Sequence, residues 1–395
     1  MYSSIDTLIK NNKNAFYVFD ILQLKTRLQY LRQCMPKNIS LCYAVKANTF
    51  IVKEIINDVD RFEVCSPGEA AICRELHVPS EKTVISGVYK TPEVMDAMVK
   101  DPDFNGLFTV ESLEQYDLFC RLSEKYRKKI CLLLRLTNDS QFGINESDII
   151  KIVEKNTDLA KIDICGIQFF SGTQKTSVKK LKREIEYLDR FIIRLKEDYN
   201  FETRELEYGT GFPAAYFEAD SYNEQELLEG FSQFISEMKS TPKITIELGR
   251  SIAACCGSYY THIVDIKHNK SQNYALIDGG MHHLVYYGQH MAMKKPFFNV
   301  YGKEQDECIE EWNICGSLCS MNDIITKQVA LPQIEISDVF VFKNVGAYCM
   351  TECIALFLSR DIPAVYLRLE NGQIVQVRKS VETAELNTPK YERNF

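Results

Sequence analysis

A lysine closing an apolar run is the residue most in need of a chemical account. Leu41-Cys42-Tyr43-Ala44-Val45-Lys46-Ala47-Asn48 reads as a buried strand that ends in Lys46. Apolar surroundings disfavour an ammonium, so such a lysine is ion-paired, reaches a wet rim, or is chemically committed. A partly desolvated lysine has a lowered pKa and condenses with an aldehyde to give a Schiff base. Other reactive types fall on or after similar runs: Glu63, Arg135, Gly209-Thr210-Gly211, and Glu247 followed by Arg250. The glycine pair is a weak dinucleotide signal, since no third glycine follows. Its backbone amides, with Thr173 and Arg250, would suit a single phosphate, and an ordinary tight turn accounts for it equally well.

These residues need a frame that brings strand ends together. Eight apolar, β-favouring runs occur in sequence: Leu41–Ala47, Phe62–Cys65, Thr83–Gly87, Leu107–Val110, Ile130–Leu136, Ile162–Phe170, Glu205–Tyr208 and Ile244–Leu248. Helix-length segments separate them, among them Pro67–Leu76, Thr91–Lys100, Ser112–Lys125 and Glu146–Glu154. The alternation predicts an α/β fold, a parallel (β/α)8 barrel, with chemistry at the C-terminal ends of its strands. Val178, Leu181, Ile185, Leu188, Ile192 and Leu195 form one helical stripe. The basic residues around its start (Lys175, Lys179, Lys180, Lys182, Arg183) read as a solvated outer face.

Past about Thr261 the pattern turns to strands: Tyr274–Ile277, Trp312–Cys315, Val339–Phe342, Ala364–Leu369 and Ile374–Arg378. A second, mainly β domain is expected there, a small barrel or sandwich. The division expected is a segment 1–22 packing with the β domain, a barrel over 23–262, and the β domain over 263–395. The last dozen residues are polar, the composition of a frayed end.

Length and charge narrow the class. The 395 residues suffice for two domains, and 45% hydrophobic content supplies a full core. A formal charge of −7 argues against binding nucleic acid by phosphate neutralisation. No apolar stretch has the length of a membrane span, and 1–14 lacks a signal-peptide core, so a cytosolic protein is expected. The 14 cysteines are scattered, many in apolar runs, and no paired C-x-x-C suggests zinc. His282, His283 and His290 lack the spacing of a recognised metal site and read as ordinary residues.

Taken in order, the motifs resemble the fold-type III decarboxylases that use pyridoxal 5'-phosphate, the diaminopimelate, ornithine and arginine decarboxylase family. The resemblance rests on Tyr43–Asn48, Phe62–Ser66 with Glu69, Gly166–Gln174, Gly209–Pro213 and Glu247–Ser251. It continues in Asp278-Gly279-Gly280-Met281, Leu318–Asp323 and Gly346-Ala347-Tyr348. It implies an alanine racemase-like barrel followed by a β domain. It also implies that Lys46 holds the cofactor as a Schiff base and that Glu247 pairs with the pyridine nitrogen. Thr173, Gly209, Gly211, Arg250 and Tyr348 would bind its phosphate, with Glu63, Arg135 and Phe170 around the ring. Cys319 would return a proton after CO₂ leaves. In the family the cysteine loop reaches the active site of a partner subunit, so a homodimer with shared sites is implied.

Three departures bear on the substrate, an amino acid. Phe170 stands where the family usually has a histidine. Ser320 stands where an acid follows the cysteine, and Tyr286 falls about where diaminopimelate enzymes carry an arginine. Ser320, Tyr286 and Asp323 are the candidate substrate contacts. Without the acid and the arginine, a basic side chain or a distal carboxylate loses its charged partner. The Leu-Cys-Ser loop is similar to branches acting on carrier-tethered glutamyl groups and siderophore intermediates. The reading is therefore decarboxylation of a non-standard or conjugated amino acid. The alternatives are a diaminopimelate or basic amino-acid decarboxylase, a racemase on the same barrel, and an inactive decarboxylase-like regulator.

Overall fold

The computed structural model describes residues 2, 4–156 and 162–390. Two units make up the chain, and neither is one continuous block. One unit contains Met1–Thr26, Ala214–Ser221 and Ala253–Phe395, and the other contains Arg27–Pro213 and Tyr222–Ile252.

The first strand, β1 (Phe16–Asp20), belongs to the sheet unit. Eight parallel strands close the barrel: β2 (Ser40–Ala44), β3 (Arg61–Val64), β4 (Thr83–Ile85), β5 (Leu107–Val110), β6 (Ile130–Leu136), β7 (Ile162–Phe170), β8 (Glu205–Gly209) and β9 (Lys243–Leu248). Closure is made by β2 against β9, with Leu41 opposite Ile246 and Tyr43 opposite Leu248. All eight expected runs are strands, within a few residues at their ends. The first run ends early. The strand stops at Ala44, and Val45–Ala47 forms a 3-10 turn, so Lys46 stands beyond the strand rather than on it. Asn48 makes that turn stable by accepting the Phe50 N–H on its side chain, while its own N–H donates to Val45.

The outer helix Val178–Tyr199 buries Leu181, Ile185, Leu188, Phe191, Ile192 and Leu195, the stripe its period predicts. Lys175 departs from the solvated face expected of it. It is buried, and its ammonium lies 2.7 Å from Glu184 Oε2. Glu184 also accepts from Ser171 and from the Tyr208 hydroxyl, so this network anchors the loop after β7.

The barrel interior is charged as well as apolar. Cys42, Val84 and Leu133 form an apolar cluster. Arg61 donates to Glu205 Oε1 at 2.6 Å and to Glu207 Oε2 at 2.8 Å, and Thr245 donates to Glu205 at 2.6 Å. Burial first, and Glu205 nearby, push Glu207 up to about 7 despite Arg61.

The sheet unit is a nine-stranded mixed sheet. Its further strands are β10 (Gly257–Asn269), β11 (Gln272–Ile277), β12 (Phe298–Val300), β13 (Glu310–Cys315), β14 (Ile324–Leu331), β15 (Val339–Lys343), β16 (Ala364–Arg368) and β17 (Ile374–Arg378). The path is β14-β13-β11-β10-β1-β16-β17, with β15 also paired to β10 and β12. The strand β1 lies centrally, antiparallel to β10 and parallel to β16. Phe16, Val18, Tyr260, Val341 and Tyr366 pack one face. Sequence periodicity missed β1, β10, β12 and β14. The expected fray at the C-terminus contains a short helix, Ala384–Asn387, and 391–395 lie outside the described residues.

Removing Arg61 leaves two carboxyls buried without their cation, which costs about 3–5 kcal/mol. Arg61→Leu is therefore expected to lower the urea midpoint sharply, and Arg61→Leu with Glu207→Gln to recover part of the loss.

Candidate active site

Three residues from three strand ends converge in the barrel. Lys46 Nζ lies 2.7 Å from Glu63 Oε2 and 3.5 Å from Glu247 Oε1. Cys65 joins them, its Sγ 3.5 Å from Lys46 Nζ and 3.1 Å from Glu63 Oε1. Gln168 Nε2 donates to Glu247 Oε2 at 3.2 Å. The lysine side chain is only half-buried, whereas both glutamates are buried. The ammonium is thus matched by buried acids on one side and open to a ligand on the other.

The two acids are not equivalent. Burial opposes the charge on Glu63, but the Lys46 ammonium outweighs it and holds that carboxyl below its usual range. Burial first, then the charge on Glu63, push Glu247 up to about 8. One cation cannot stabilise two neighbouring carboxylates, so the pair divides into one anion and one acid.

Around this centre the strand ends supply a second ring of groups. Arg135 donates to Glu111 Oε1 at 2.9 Å, and its guanidinium lies over the Phe142 ring at 4.9 Å. Lys90 is buried and donates to the Gly87 carbonyl and Gln115 Oε1; burial brings it down to about 8. Its charged neighbours include Glu111, Arg135 and Glu63. Phe170, at the end of β7, packs on Gly209: a Cβ there would meet Phe170 Cδ2 at 2.5 Å.

The glycine turn after β8 is held against the loop after β7. Gly211 has φ +64, and a Cβ on it would meet the Gly172 carbonyl oxygen at 2.1 Å. Lys175 N–H donates to the Gly211 carbonyl at 2.9 Å. Gly172 itself opens onto free space. Arg250, buried, donates from Nε to Thr173 Oγ1 at 3.3 Å. The buried hydroxyls of Thr210 and Ser251 have no hydrogen-bond partner among the described residues. Orphaned donors beside a glycine turn and an arginine fit a phosphate, and a lysine between acids fits an aldehyde.

Five of the expected site residues lie in the sheet unit. Cys319 is exposed on a tight loop. Asp323, expected to contact substrate, instead builds that loop. Its Oδ2 accepts the Leu318 N–H at 2.8 Å and its Oδ1 the Met281 N–H at 2.7 Å. Tyr286 is buried and its hydroxyl donates to the Lys343 carbonyl at 2.9 Å, so its place is in the core. Ser320 accepts the Asn322 N–H at 3.3 Å and remains partly accessible. Tyr348 takes a left-handed backbone, φ +65.

Cys65, Lys90, Glu111 and Gln168 escaped notice as site residues. Glu111 follows β5 directly, so the strand-end rule could have found it. Cys65 and Gln168 lie inside motifs already recognised, but Lys90 carries no local signal.

A lysine-bearing barrel with a separate mixed sheet defines a class of cofactor-dependent enzyme. The family described as "Pyridoxal-dependent decarboxylase, C-terminal sheet domain" matches residues 16–346, and the chain belongs to that family. It is a decarboxylase of amino acids, a carboxy-lyase dependent on pyridoxal phosphate. Among its relatives is an L-glutamyl-(BtrI acyl-carrier protein) decarboxylase of Niallia circulans, 24% identical over 405 residues, 95% of this chain and 94% of that one. A 2-[(L-alanin-3-ylcarbamoyl)methyl]-2-hydroxybutanedioate decarboxylase of Staphylococcus aureus is 27% identical over 381 residues, 89% and 93% of the two chains. The solved diaminopimelate decarboxylase of M. jannaschii in complex with L-lysine superposes with a TM-score of 0.86 at 20% identity, covering 96% of this chain and 92% of that one. Among the described residues no helix is long and apolar enough to cross a membrane.

A carboxyl raised in the folded state retains a proton that the unfolded chain releases. For Glu247 the folded protein therefore loses stability as pH rises from about 4.5 to about 8. In the cofactor-free protein, Glu247→Gln is expected to flatten the fall in melting temperature across that window; an unchanged slope would place the proton elsewhere.

Proposed function

We propose that this chain removes the α-carboxylate of a non-standard or conjugated amino acid rather than of free diaminopimelate or a basic amino acid. The observation that carries this is the state of Asp323. It is the one carboxylate of the loop Leu318–Asp323, and both of its oxygens are occupied by backbone N–H groups. A basic side chain arriving at this loop would meet Ser320 and no free acid. Tyr286, with its hydroxyl committed to Lys343, offers no charge to a distal carboxylate. Two relatives support the same reading by what their names say they act on: an L-glutamyl group on an acyl-carrier protein, and an alanine joined through an amide to a hydroxybutanedioate.

Lys46 would hold the cofactor through its amine, at the centre where Glu63 and Glu247 meet it. Pyridoxal phosphate supplies, when bound, a sink for the electron pair left as the Cα–carboxylate bond breaks. Glu247, which the barrel already makes the stronger proton holder, would pair with the pyridine nitrogen and favour its protonated form. Thr173, the amides of Gly209 and Gly211, Arg250 and Tyr348 would hold the phosphate. Glu63, Arg135 and Phe170 would complete the cofactor's site, Phe170 offering an aromatic face but no proton. Cys319 returns a proton to Cα. The chain works as a homodimer in which Cys319 serves the partner's lysine. Exposed apolar side chains in the sheet unit support this assembly, notably Met321 within the cysteine loop, Phe357 and Leu358.

A CO₂-release assay with the cofactor-loaded protein tests the substrate class, using Lys46→Ala as the blank. The panel comprises free diaminopimelate, lysine, ornithine, arginine and glutamate beside amide-linked and carrier-bound amino acids. Fast turnover of free diaminopimelate or a basic amino acid would overturn the proposal. Mixing inactive Lys46→Ala and Cys319→Ala subunits tests the shared site. Random re-pairing should restore roughly a quarter of wild-type turnover, because half the dimers are mixed and each has one intact site. No recovery after verified exchange would place both residues in one subunit's site.

A further inference from the structure

The end of the barrel opposite Lys46 holds a second cluster of reactive side chains that decarboxylation does not use. Cys131 lies near the start of β6, and Asp163 and Cys165 near the start of β7. Cys131 stands opposite Asp163 and Leu132 opposite Ile164, but Leu133 stands opposite Gly166. Cys165 is therefore the extra residue of a bulge, and a bulge aims its side chain by a local kink rather than by the ladder. The two sulfurs and an Asp163 carboxylate oxygen all lie within 4.8 Å of one another. Cys131 Sγ is 3.8 Å from Asp163 Oδ2, and Cys165 Sγ is 3.6 Å from the Asp163 carbonyl. Neither thiol is fully buried.

The surroundings decide what this trio does. Lys129 Nζ lies 3.0 Å from Asp163 Oδ2, and the Arg204 guanidinium binds Oδ1. The carboxylate is thus already matched by two cations. Those cations would repel a divalent metal, and three donors would not complete a soft-metal site. The same cations favour a thiolate. Hydrogen bonding from Cys165 first, helped by Lys129 and against partial burial, brings Cys131 down to about 7, while Cys165 is pushed up. One sulfur is set to attack and its neighbour to resolve.

We propose that Cys131 and Cys165 are a reversible redox pair that low-molecular-weight disulfides oxidise to an intramolecular disulfide. The Cys131 thiolate attacks one sulfur of the small disulfide, breaking its S–S bond and releasing one thiolate. Cys165, its proton passing to water, then attacks Cys131 and releases the second. Two protein thiols are oxidised by two electrons, and one small disulfide is reduced to two thiols. The product ties β6 to β7 across the bulge. This inference does not rest on the proposed substrate, and its test does not use turnover.

The cofactor-loaded protein is equilibrated with glutathione at stepwise oxidised-to-reduced ratios, alkylated and mapped by mass spectrometry. The expected result is a Cys131–Cys165 cross-link, loss of two of the 14 thiols, and full reversal by dithiothreitol. Glutathione retained on Cys131 with no cross-link, or both thiols alkylated as in the reduced protein, overturns the proposal. In Cys165→Ser the mixed disulfide at Cys131 should persist. The pH of half-maximal alkylation at Cys131, near 7 in the wild type, should rise in Cys165→Ala, which removes the thiol donor without supplying a hydroxyl. A midpoint that does not move removes Cys165 from the pair.

Discussion

Four buried carboxyls share two cations inside the barrel, and the site depends on that shortage. Glu205 and Glu207 meet Arg61, while Glu63 and Glu247 meet Lys46. In each pair one acid lies below its ordinary value and the other above it. Burial penalises every charge, so a single cation stabilises one anion and leaves its neighbour protonated. The raised Glu247 is consequently an acid that retains its proton at neutral pH. It stands beside an amine that water can still reach.

Around this charge pattern, close backbone approach does the positioning. Gly211 must be glycine because its left-handed turn brings it against the Gly172 carbonyl. Gly209 leaves room for the Phe170 ring. The sheet unit uses the same device. Gly280 and Gly316 leave room for the Asp323 carboxylate, which ties the cysteine loop to the turn at Met281. An acid that looked like a substrate contact is thereby a structural staple, its two oxygens taken by backbone N–H groups.

The barrel was legible because parallel strands buried on both faces read as apolar runs of strand length. Lys46, Glu63 and Glu247 were legible because charged residues within such runs demand an explanation, and the strand-end rule placed them. The sheet unit was harder. The apolar run Phe16–Phe19 is as clear as any, yet its partners Tyr260 and Tyr366 lie far along the chain. No local pattern announces such a pairing. Lys175 shows the same gap: among basic neighbours it reads as surface, and only the fold brings Glu184 beneath it.

The sequence by itself determined the barrel, the lysine and acids at its strand ends, and the absence of an acid after Cys319, and a resemblance in ordered motifs gave the family. The first three follow from residue type and from the period and spacing of local runs. Tertiary structure alone decided which acid keeps a proton, that Asp323 and Tyr286 are committed, and that Cys131 faces Cys165. Those properties depend on burial and on distances of a few ångströms between separate elements. Neither exists until the strands have closed.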